Sequence, residues 1–549
     1  MTVRPEDQSA EPITWGKVID NRKCIGCHAC TVACKQEHDV PLGVNRTYVK
    51  QVEVGRYPNV RRHFQVTRCN QCADAPCVEI CPTTAMYQRP DGIVDFDRSR
   101  CIGCQACMAA CPYDAIYIDP ESHSAEKCNF CTNRIDRGLQ PACVTVCPTQ
   151  AIFVGNLEDP VSNVSNLIAR EKVEVRRPEK NTNPKVFYVD ATGPTLDPAA
   201  AAFKGYFSQS QPIDTQVAPG RPSPTSANDP SSSHAAAILA YDNPHRAPWN
   251  WIVSAYTWTK SISAGLVMVV AAMGLLGYDL RFGGLGGSGV ELTAVAAAAL
   301  LLAVTAGLLV LDLHHPERFV YTLLKPQWRS WVTRGAYIIT AYGAFLIVYA
   351  SAALADVGGG LMAGVRLIAV FLALAAGVYT AFLFGQAKGR DLWQDPGLPA
   401  HFFVRTALAG VAALSLIASH GGFSVNPTIF HWGILIALVL HGAFMIGHVA
   451  RSRAGTSEAT RNMVLGPYRV YFWGSFLIGV AVPAAIMARD AWHSASDTTT
   501  VMFAVFTKAP IFNFSSTDID LVAASVMALV GLALYEHAYV QAGQSVPQS

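Results

Sequence analysis

The residue type most able to do chemistry in this chain is cysteine, because thiolates bind soft transition metals. All 16 cysteines of the 549-residue chain lie within its first 147 residues, and they fall into four groups of four. The groups are Cys24, Cys27, Cys30 and Cys34; Cys69, Cys72, Cys77 and Cys81; Cys101, Cys104, Cys107 and Cys111; and Cys128, Cys131, Cys143 and Cys147. This repeated spacing favours metal ligation over sixteen unrelated thiols.

The spacing within the groups predicts iron–sulfur clusters. Three thiolates within seven residues can hold one face of a cuboidal cluster, and a fourth can reach a neighbouring cluster, as in bacterial two-cluster ferredoxins. Two such units in tandem predict four [4Fe–4S] clusters with no cysteine left over. Zinc is the alternative, but zinc sites usually pair two CxxC-like knuckles, which triple cysteine runs fit poorly. The first group departs from the pattern only at Lys35, where a proline usually follows.

A basic residue directly precedes each group, and two interpretations of this charge remain open. The four residues are Lys23, Arg68, Arg100 and Lys127. They could form a solvated surface, or they could raise the reduction potentials of the clusters or meet a partner.

We expect no export signal at the start of the chain. Residues 1–16 are polar, lack the apolar segment of a cleavable signal peptide and contain no twin-arginine pair. Disulfide-rich scaffolds belong mostly to secreted proteins, so we expect the cysteines to be reduced and metal-bound.

Composition divides the chain into three regions. Hydrophobic residues make up 51% and charged residues 15% of the whole, and the apolar excess begins near Trp249. We expect an α+β tandem bacterial-ferredoxin-like domain over residues 1–195, with residues 186–189 as its last strand, and a linker over residues 196–247. Residues 248–549 are expected to form an all-α eight-helix transmembrane bundle. The net charge of +2 gives no sign of a nucleic-acid partner.

Eight apolar segments approach the roughly 20 residues needed to cross about 30 Å of hydrocarbon. Buried helices of a soluble domain are the alternative, but eight such segments leave too little polar surface to cover them. The predicted spans are residues 253–277, 292–311, 335–355, 367–384, 402–419, 429–446, 470–487 and 519–535. The fifth and the eighth have the weakest signal.

An even number of spans puts both ends of the membrane region on one side, together with the cysteine domain. Loops on that side carry ten basic residues: Arg318, Lys325, Arg329, Arg334, Lys388, Arg390, Arg451, Arg453, Arg461 and Arg469. The opposite loops carry four: Arg281, Arg366, Arg489 and Lys508. This excess predicts a multi-pass protein of the cell membrane whose cysteine domain is cytoplasmic.

The cysteine array, with its unusual spacings of four residues in the second group and eleven in the fourth, resembles a known subunit family. It is similar over residues 15–195 to the four-cluster subunits of the molybdopterin oxidoreductase superfamily, which includes polysulfide, thiosulfate and dimethyl sulfoxide reductases and formate dehydrogenases. The resemblance implies that the first group shares ligands with the fourth, and the second with the third. The implied sets are Cys24, Cys27, Cys30 and Cys147; Cys34, Cys128, Cys131 and Cys143; Cys69, Cys72, Cys77 and Cys111; and Cys81, Cys101, Cys104 and Cys107.

The same resemblance implies an order for the clusters. The set that contains Cys128 would lie nearest the membrane, and the set that contains Cys24 would face a catalytic subunit. Some relatives replace a cysteine of the third group and hold a three-iron cluster. Because Cys104 is present here, four iron atoms are expected.

A second resemblance lies in the membrane half. The loop after the second span reads Leu-Asp-Leu-His-His-Pro-Glu-Arg-Phe over residues 311–319, and the first span is preceded by Pro-Trp-Asn-Trp at 248–251. Over about residues 240–540 these features are similar to the polysulfide-reductase-type, NrfD-like membrane anchors. The resemblance implies eight spans, no haem and electron exchange with quinone.

Quinol oxidation releases two protons and two electrons, so a quinone site needs proton-accepting groups close to a cluster. The candidate quinone-binding residues are Asp312, His314, Arg318, Arg334, Tyr256 and Lys260. An acid that ends a span is usually functional, although Asp312 could instead pair with Arg318. Lys260 could simply extend to the lipid headgroups.

Histidines in two spans leave a haem alternative open. His401 and His420 belong to the fifth span, and His431, His441 and His448 belong to the sixth. Histidine in a span is more often a hydrogen-bonding core residue, and the eight-span count favours a chain without haem.

Together these patterns predict an electron-transfer and membrane-anchor component that connects membrane quinone with a separate molybdopterin catalytic subunit. No residue is assigned to the substrate reaction itself, because the chain shows no molybdopterin-binding fold. Two alternatives remain: the module of a quinol-oxidising respiratory complex with cytochrome partners, and the module of a hydrogenase.

Overall fold

The structure of the chain is a computed structural model. It describes residues 13–56, 58–197, 201–203, 237–243, 246–278, 289–355, 357–420, 427–455, 458–495 and 519–548. Most of the predicted linker, residues 204–236, lies outside the described residues.

Short elements separated by cysteine-bearing loops build the cysteine domain, residues 13–197. The strands, including two that follow this domain, are β1 Trp15–Asp20, β2 Thr47–Arg56, β3 Asn59–Arg68, β4 Met86–Gln88, β5 Val94–Phe96, β6 Ile116–Ile118, β7 Ala125–Lys127, β8 Ile152–Asn156, β9 Val173–Glu174, β10 Val186–Val189, β11 Ala202–Phe203 and β12 Ile238–Tyr241. The helices are α1 Ala29–Glu37, α2 Pro76–Ile80, α3 Ala106–Ala110, α4 Thr132–Ile135, α5 Ala142–Thr145, α6 Asn163–Arg170 and α7 Gly193–Leu196. The predicted α+β architecture is confirmed.

The two ends of the cysteine domain meet in one sheet, with strand order β8-β1-β10-β9. The strand predicted at residues 186–189 is confirmed as β10, which pairs in parallel with β1 from Lys17 opposite Val186 onward. The hairpins β4-β5 and β6-β7 lie between the cysteine groups. The sheet therefore closes the domain around the loops that carry the thiols.

Part of the predicted linker is a strand and not a free connection. β12 pairs antiparallel with β2, with Ile238 opposite Glu53, and β11 pairs in parallel with β12. Leu239 and Ala237 are buried against Val52, and the burial of these apolar side chains stabilises the pairing of this segment with the sheet. The described ends of the linker thus extend the cysteine domain.

The membrane half is entirely helical in its described residues after β12. Its helices are α8 Trp251–Leu275, α9 Gly289–Leu311, α10 Tyr321–Leu324, α11 Trp331–Leu354, α12 Gly359–Gln386, α13 Leu398–His420, α14 Pro427–Gly455, α15 Glu458–Val464, α16 Arg469–Phe476, α17 Val482–Ala495 and α18 Ile519–Gly543. A π-helical turn, Leu477–Ala481, joins α16 to α17. Eight helices among the described residues are long and apolar enough to cross a membrane, and each predicted span falls on one of them. Six spans lie within their helices, and the first and third end two residues and one residue beyond α8 and α11.

The central helix of the bundle is α8, which packs against α9, α12, α13 and α18. The two spans with the weakest apolar signal, α13 and α18, carry the buried residues Arg405 and Glu536. The guanidinium of Arg405 and the carboxylate of Glu536 lie 3.0 Å apart. Each charge lowers the hydropathy of its own span, and the two charges neutralise each other inside the bundle.

The second and third cysteine groups dock onto the membrane half. Ser330, at the start of α11, donates through its hydroxyl to the Ile80 carbonyl at 2.6 Å, and Thr333 donates to the Pro82 carbonyl at 3.1 Å. The backbone N–H of His315 donates to the Ile102 carbonyl at 3.1 Å. These contacts fix the orientation of the cysteine domain on the bundle.

The residues that follow α18 form a second connection. Gln548 is buried and accepts a hydrogen bond from Arg176 through its backbone carbonyl at 2.9 Å. Its N–H donates to Asp114 at 2.6 Å, and Arg390 donates to the Val546 carbonyl at 3.1 Å. The segment after the last span therefore binds both halves of the chain.

We predict that Gly410→Ala destabilises the bundle. A Cβ at this position on α13 would overlap the backbone carbonyl of Gly265 on α8, and backbone atoms cannot rotate away. Overpacking of this kind costs about 1–3 kcal/mol, so the midpoint of thermal unfolding in detergent should fall. The matched control is Gly364→Ala, a helical glycine whose Cβ would meet open space, which should leave the midpoint unchanged or raise it. Equal midpoints for the two variants would contradict the close approach.

Candidate functional site

Each cysteine group begins with a tight turn. The residue before the second cysteine adopts a left-handed backbone in all four groups: Gly26 at φ 68°, Gln71 at 49°, Gly103 at 72° and Phe130 at 65°. A left-handed residue reverses the chain locally, which lets the two thiols of a CxxC segment face the same space. At Gly103 glycine is also required by packing, because a Cβ would lie 2.5 Å from the Cβ of His314.

Two of the four thiol sets surround clear cavities. Cys34, Cys128, Cys131 and Cys143 line one cavity. Cys69, Cys72, Cys77 and Cys111 line the other. Each cavity draws three thiols from one group and the fourth from its partner group, which is the sharing that the resemblance implies.

The remaining thiols gather in two further sets. Burial raises the pKa of Cys24, and the nearby Cys147 and Cys27 thiols raise it further. Burial also raises the pKa of Cys104, with added contributions from Cys81, Cys101 and the Asp312 carboxylate. The structure thus brings Cys147 to the first group and Cys81 to the third.

Backbone N–H groups point at several of these sulfurs. Met86 donates to Cys81 at 3.4 Å, Ala125 donates to Cys101 at 3.4 Å, and Ala151 donates to Cys147 at 3.3 Å. Such bonds stabilise thiolates that ligate iron. Within the described ranges, no three Cys, His, Asp or Glu side chains converge on the position of a single metal ion. The residues present fit a larger polynuclear group.

The four sets follow one another in a line. Arg68 lies between the first two sets. It donates to the Cys143 sulfur at 3.2 Å, and its charge partly offsets the burial that raises the pKa of Cys30 to about 11. Burial raises the pKa of Cys107 strongly, and the Cys77 thiol of the neighbouring set adds to this effect. Lys127 lies between the two middle sets, where its charge acts on both Cys77 and Cys128.

The predicted order of the clusters needs a correction. The set nearest the membrane half is Cys81, Cys101, Cys104 and Cys107, and not the set that contains Cys128. Trp249 donates through its indole to the Cys104 carbonyl at 3.2 Å, and Arg318 donates to the Cys101 carbonyl at 3.1 Å. The relative placement of the two halves is a property of tertiary packing, which the cysteine spacing does not encode. At the other end of the line, Cys27 is exposed.

Among the predicted quinone-binding residues, Tyr256 and Asp312 come together. Tyr256 on α8 is buried, and Asp312, Tyr379, Glu536 and Cys104 all lie close enough to act on it electrostatically. Burial raises the pKa of Asp312 to about 7. In the part of the chain that the structure describes, its carboxylate makes no ion pair, so the predicted alternative of a pair with Arg318 is wrong. A carboxyl group that changes protonation near neutral pH therefore lies beside the innermost thiol set.

His314 and Arg318 instead contact the cysteine domain. Nε2 of His314 lies 3.1 Å from the Gln105 amide, and its ring stacks on His123 at 5.8 Å between centroids. Arg318 also donates to the Arg98 carbonyl at 2.9 Å. Both residues dock the third cysteine loop.

Lys260 and Arg334 have different surroundings. Lys260 is buried beneath Tyr379, 4.3 Å from its ring centroid, and donates to the Thr380 hydroxyl, so the alternative that it extends to the headgroups is wrong. Arg334 is exposed, donates to the Trp328 carbonyl at 2.7 Å and packs over Trp331. Its contacts do not reach the Tyr256–Asp312 pair.

An apolar groove leads from the outer surface of the bundle to Tyr379. It has a volume of about 550 Å³, within the range of small-molecule sites. Its lining comes from α11, α12 and α13 and comprises Trp331, Ile338, Phe371, Leu374, Ala375, Val378, Tyr379, Phe382, Pro399 and Phe403. The groove can accept a long apolar chain from the membrane and direct a polar head toward Tyr379.

A buried polar cluster lies next to this region, and sequence reasoning named its histidines but missed its charged residues Arg405 and Glu536. Besides Arg405 and Glu536, it contains His401 and His441, whose ring nitrogens lie 3.0 Å apart, and Tyr535 beside both rings. His448 pairs with Asp395 at 2.9 Å. Charged residues inside spans are a known functional signal, and Arg405 and Glu536 could have been found by it.

Comparison with known proteins agrees with this geometry. A 4Fe-4S dicluster domain model matches residues 60–157, and a model of the polysulphide reductase NrfD family matches residues 241–514. The second match begins at the end of β12 and covers the first seven spans.

Curated relatives match the cysteine domain. A tetrathionate reductase subunit of Salmonella typhimurium is 42% identical over 190 residues, which are 34% of this chain and 76% of that protein. A polysulfide reductase subunit of Wolinella succinogenes is 42% identical over 178 residues, 32% of this chain and 93% of the relative. The thiosulfate reductase electron transfer subunit of Salmonella typhi is 46% identical over 157 residues, 28% of this chain and 81% of the relative.

The boundary between the two groups of matches coincides with the boundary between the cysteine domain and the membrane half. The cysteine domain corresponds to separate subunits in these relatives, and the helical half corresponds to the NrfD family. The chain therefore belongs to the polysulfide reductase family, as a fusion of a 4Fe–4S electron-transfer subunit with an NrfD-type membrane anchor.

Proposed function

We propose that this chain relays electrons between membrane quinone and a separate molybdopterin catalytic subunit through four [4Fe–4S] clusters. The observation that carries the proposal is the position of Asp312 and Tyr256, which lie beside Cys104 at the inner end of the line of thiol sets. A bound [4Fe–4S] cluster takes up and releases one electron at a time. The protein residues must therefore handle the protons of the quinone.

Asp312 supplies a proton acceptor in the right place. Asp312 directly follows α9 at the expected membrane edge, and burial raises the pKa of its carboxyl group to about 7. The titratable groups on which its charge acts there are Tyr256 and the Cys104 thiol. Near neutral pH, Asp312 can accept a proton from a quinol hydroxyl and release it to water at the edge of the bundle.

The groove supplies the path for the quinone itself. Its walls are apolar, and Tyr379 at its inner end contacts Lys260 and lies near Tyr256. A quinone with an isoprenoid tail could place the tail in the groove and its ring beyond Tyr379. Lys260 and Tyr256 would then offer hydrogen bonds to the ring oxygens.

The opposite end of the line offers a surface for the catalytic subunit. Cys27 is exposed there, and the apolar side chains of Ile25, Val32 and Val146 around this thiol set are also exposed. Relatives of the cysteine domain are named as subunits of polysulfide, tetrathionate and thiosulfate reductases, which implies that those enzymes contain further chains. A catalytic subunit that covers this apolar surface would bring its redox centre close to the first cluster.

The proposed side of the membrane is cytoplasmic for the cysteine domain. On the cluster side Arg318, Arg334, Arg390 and Arg451 make specific contacts, and on the opposite side Arg366 and Arg489 do, so these six do not count as free loop charges. Without them, six of the ten cluster-side basic residues remain against two of the four on the opposite side. This excess still favours the cytoplasm.

We expect Asp312→Asn to slow quinol oxidation by about 100-fold, the usual contribution of a general base. The measurement is the bleaching of cluster absorbance when the purified chain is mixed with a quinol analogue. In the unmodified chain the rate should rise as the pH rises through about 7, because the ionised carboxylate accepts the proton. The variant should lose this dependence.

The control for that experiment is Asp520→Asn, which removes a carboxylate at the opposite edge of the bundle, where it pairs with Arg489. It should leave the rate unchanged. An unchanged rate in Asp312→Asn would remove the assigned role of that residue. If the chain held its full iron yet no quinol analogue reduced it, the proposed relay itself would fail.

We predict that Val32→Asp weakens the interaction with the catalytic subunit about tenfold or more, because it introduces a charge into an apolar interface. Val32 is 66% exposed beside the first thiol set, and the matched control Val161→Asp alters a valine that is 79% exposed on the same domain. Molybdenum that copurifies with the tagged chain reports binding, and iron content reports intact clusters. Copurification of haem or nickel in place of molybdenum would favour a cytochrome-containing complex or a hydrogenase instead.

The side of the membrane can be read from a fusion to the end of the chain. Because Gln548 contacts Arg176 of the cysteine domain, a reporter placed after it shares the side of the clusters. A fluorescent protein in this position should fluoresce in the cytoplasm, and alkaline phosphatase should be inactive. Active phosphatase would place the cysteine domain outside the cytoplasm.

A further inference from the structure

Two of the four basic residues that precede the cysteine groups are buried, and two are not. Lys23 and Arg100 are exposed, and Arg100 lies 3.4 Å from Asp97. Arg68 and Lys127 are fully buried, with relative exposures of 1% and 0%. The structure therefore separates the two interpretations that the sequence left open: solvated surface for the first pair, and a role at the clusters for the second.

We propose that Arg68, together with Lys17, raises the reduction potential of the cluster held by Cys34, Cys128, Cys131 and Cys143 above the potentials of the other three. This inference rests on the proposed cluster ligands. The cluster at this position in the line would hold an electron between transfers.

Arg68 faces this cluster site directly. It lines the cavity of the four thiols and donates through Nη1 to the Cys143 sulfur at 3.2 Å. Its Nε and Nη2 atoms are buried and have no hydrogen-bond partner among the described residues. Leaving such donors unpaired is unfavourable, especially for a charged group, and the sulfur atoms of a bound cluster would provide the missing acceptors.

The charge in this cavity is not neutralised. Lys17 is buried in its wall, with its ammonium 4.0 Å from the Phe130 ring centroid. Among the described residues, neither Lys17 nor Arg68 forms an ion pair with a carboxylate, whereas Arg46 in the same wall pairs with Glu126 at 2.8 Å. Two uncompensated positive charges therefore act on this thiol set.

The next thiol set in the line has a different environment. The cavity of Cys69, Cys72, Cys77 and Cys111 is otherwise lined by neutral residues, including Asn70, Val94 and Tyr113. Lys127 lies between the two sets and donates to the carbonyls of Val94 and Cys128. The innermost set has the Asp312 carboxylate nearby, and the outermost set is partly open to solvent. Lys185 also acts electrostatically on Cys69 and Cys72, but it is outside the lining of their cavity and Asp91 acts on it as well. Of these two cavities, the one of Cys34, Cys128, Cys131 and Cys143 is thus the one lined by cations.

Buried positive charge near a cluster raises the reduction potential of that cluster. Adding one electron changes the cluster core from a charge of 2+ to 1+, with no bond broken and no proton required. A buried cation a few ångströms away favours the more negative state, and the effect is large because the surroundings have a low dielectric constant. Hydrogen bonds to cluster sulfurs act in the same direction.

The position of this cluster suggests its use. It is second in the line from the exposed end, next to the set that contains the exposed Cys27. An electron that rests there lies one step from the catalytic subunit. The quinone end can then complete its second electron transfer while the first electron is held away from Asp312 and Tyr256.

The test is a redox titration of the purified full chain, followed by electron paramagnetic resonance. In Arg68→Gln the highest of the four midpoint potentials should fall, while the lowest two should not move. Arg68→Lys keeps the charge and should retain most of the potential. The matched control is Arg100→Gln, which alters the equivalent residue of the third group and should leave all four midpoints unchanged.

Iron content shows whether each variant assembles its clusters. If Arg68→Gln loses iron, Lys17→Gln provides the same test from the other side of the cavity. An unshifted highest midpoint in an iron-replete variant would overturn the proposal, as would an equal shift in Arg100→Gln. Failure of quinol to reduce the unmodified chain would contradict the proposed relay but leave these midpoints measurable, so the two failures can be told apart.

Discussion

The contact between Gly103 and His314 sets how closely the two halves of the chain approach. Gly103 has a positive φ, and any side chain there would overlap His314. The flanking cysteines Cys101 and Cys104 belong to the same loop, so this contact brings one thiol set to the membrane edge. Arg318 and Trp249 then hold that loop by its carbonyl oxygens. The membrane half thus binds the backbone of this loop and leaves the thiols available to ligate iron.

Buried charges are compensated differently in the two halves. Inside the bundle, four ionic side chains form two pairs, Arg405 with Glu536 at 3.0 Å and Arg366 with Glu291 at 2.6 Å, whereas the buried Lys260 donates to the Thr380 hydroxyl. Pairing offsets the high cost of removing each charge from water. Among the described residues of the cysteine domain, Arg68 and Lys17 have no carboxylate partner, which is consistent with compensation by an anionic cluster and its thiolates. The chemistry of the bound group therefore completes the electrostatics of the cysteine domain.

Fusion of the two modules makes their docking intramolecular, and several segments contribute to it. β12 adds the end of the linker to the sheet of β2 and β3. The segment after α18 returns to the cysteine domain, where Gln548 binds Arg176 and Asp114. Linked modules meet at a high effective concentration. A small set of backbone and side-chain hydrogen bonds is then enough to hold the innermost thiol set at Asp312.

The sequence by itself determined the cysteine groups, the α+β architecture of the first domain, the eight spans and the family. These features follow from local spacing and hydropathy, which tertiary contacts do not alter. Only the tertiary structure decided which thiol set faces the membrane, that His314 and Arg318 dock the third loop, and that Lys260 lies buried below Tyr379. It also separated Arg68 and Lys127 from Lys23 and Arg100, although all four occupy the same place in the sequence pattern. The reason is that burial and the pairing of charges depend on which surfaces meet, and that information is not contained in the spacing of residues along one segment.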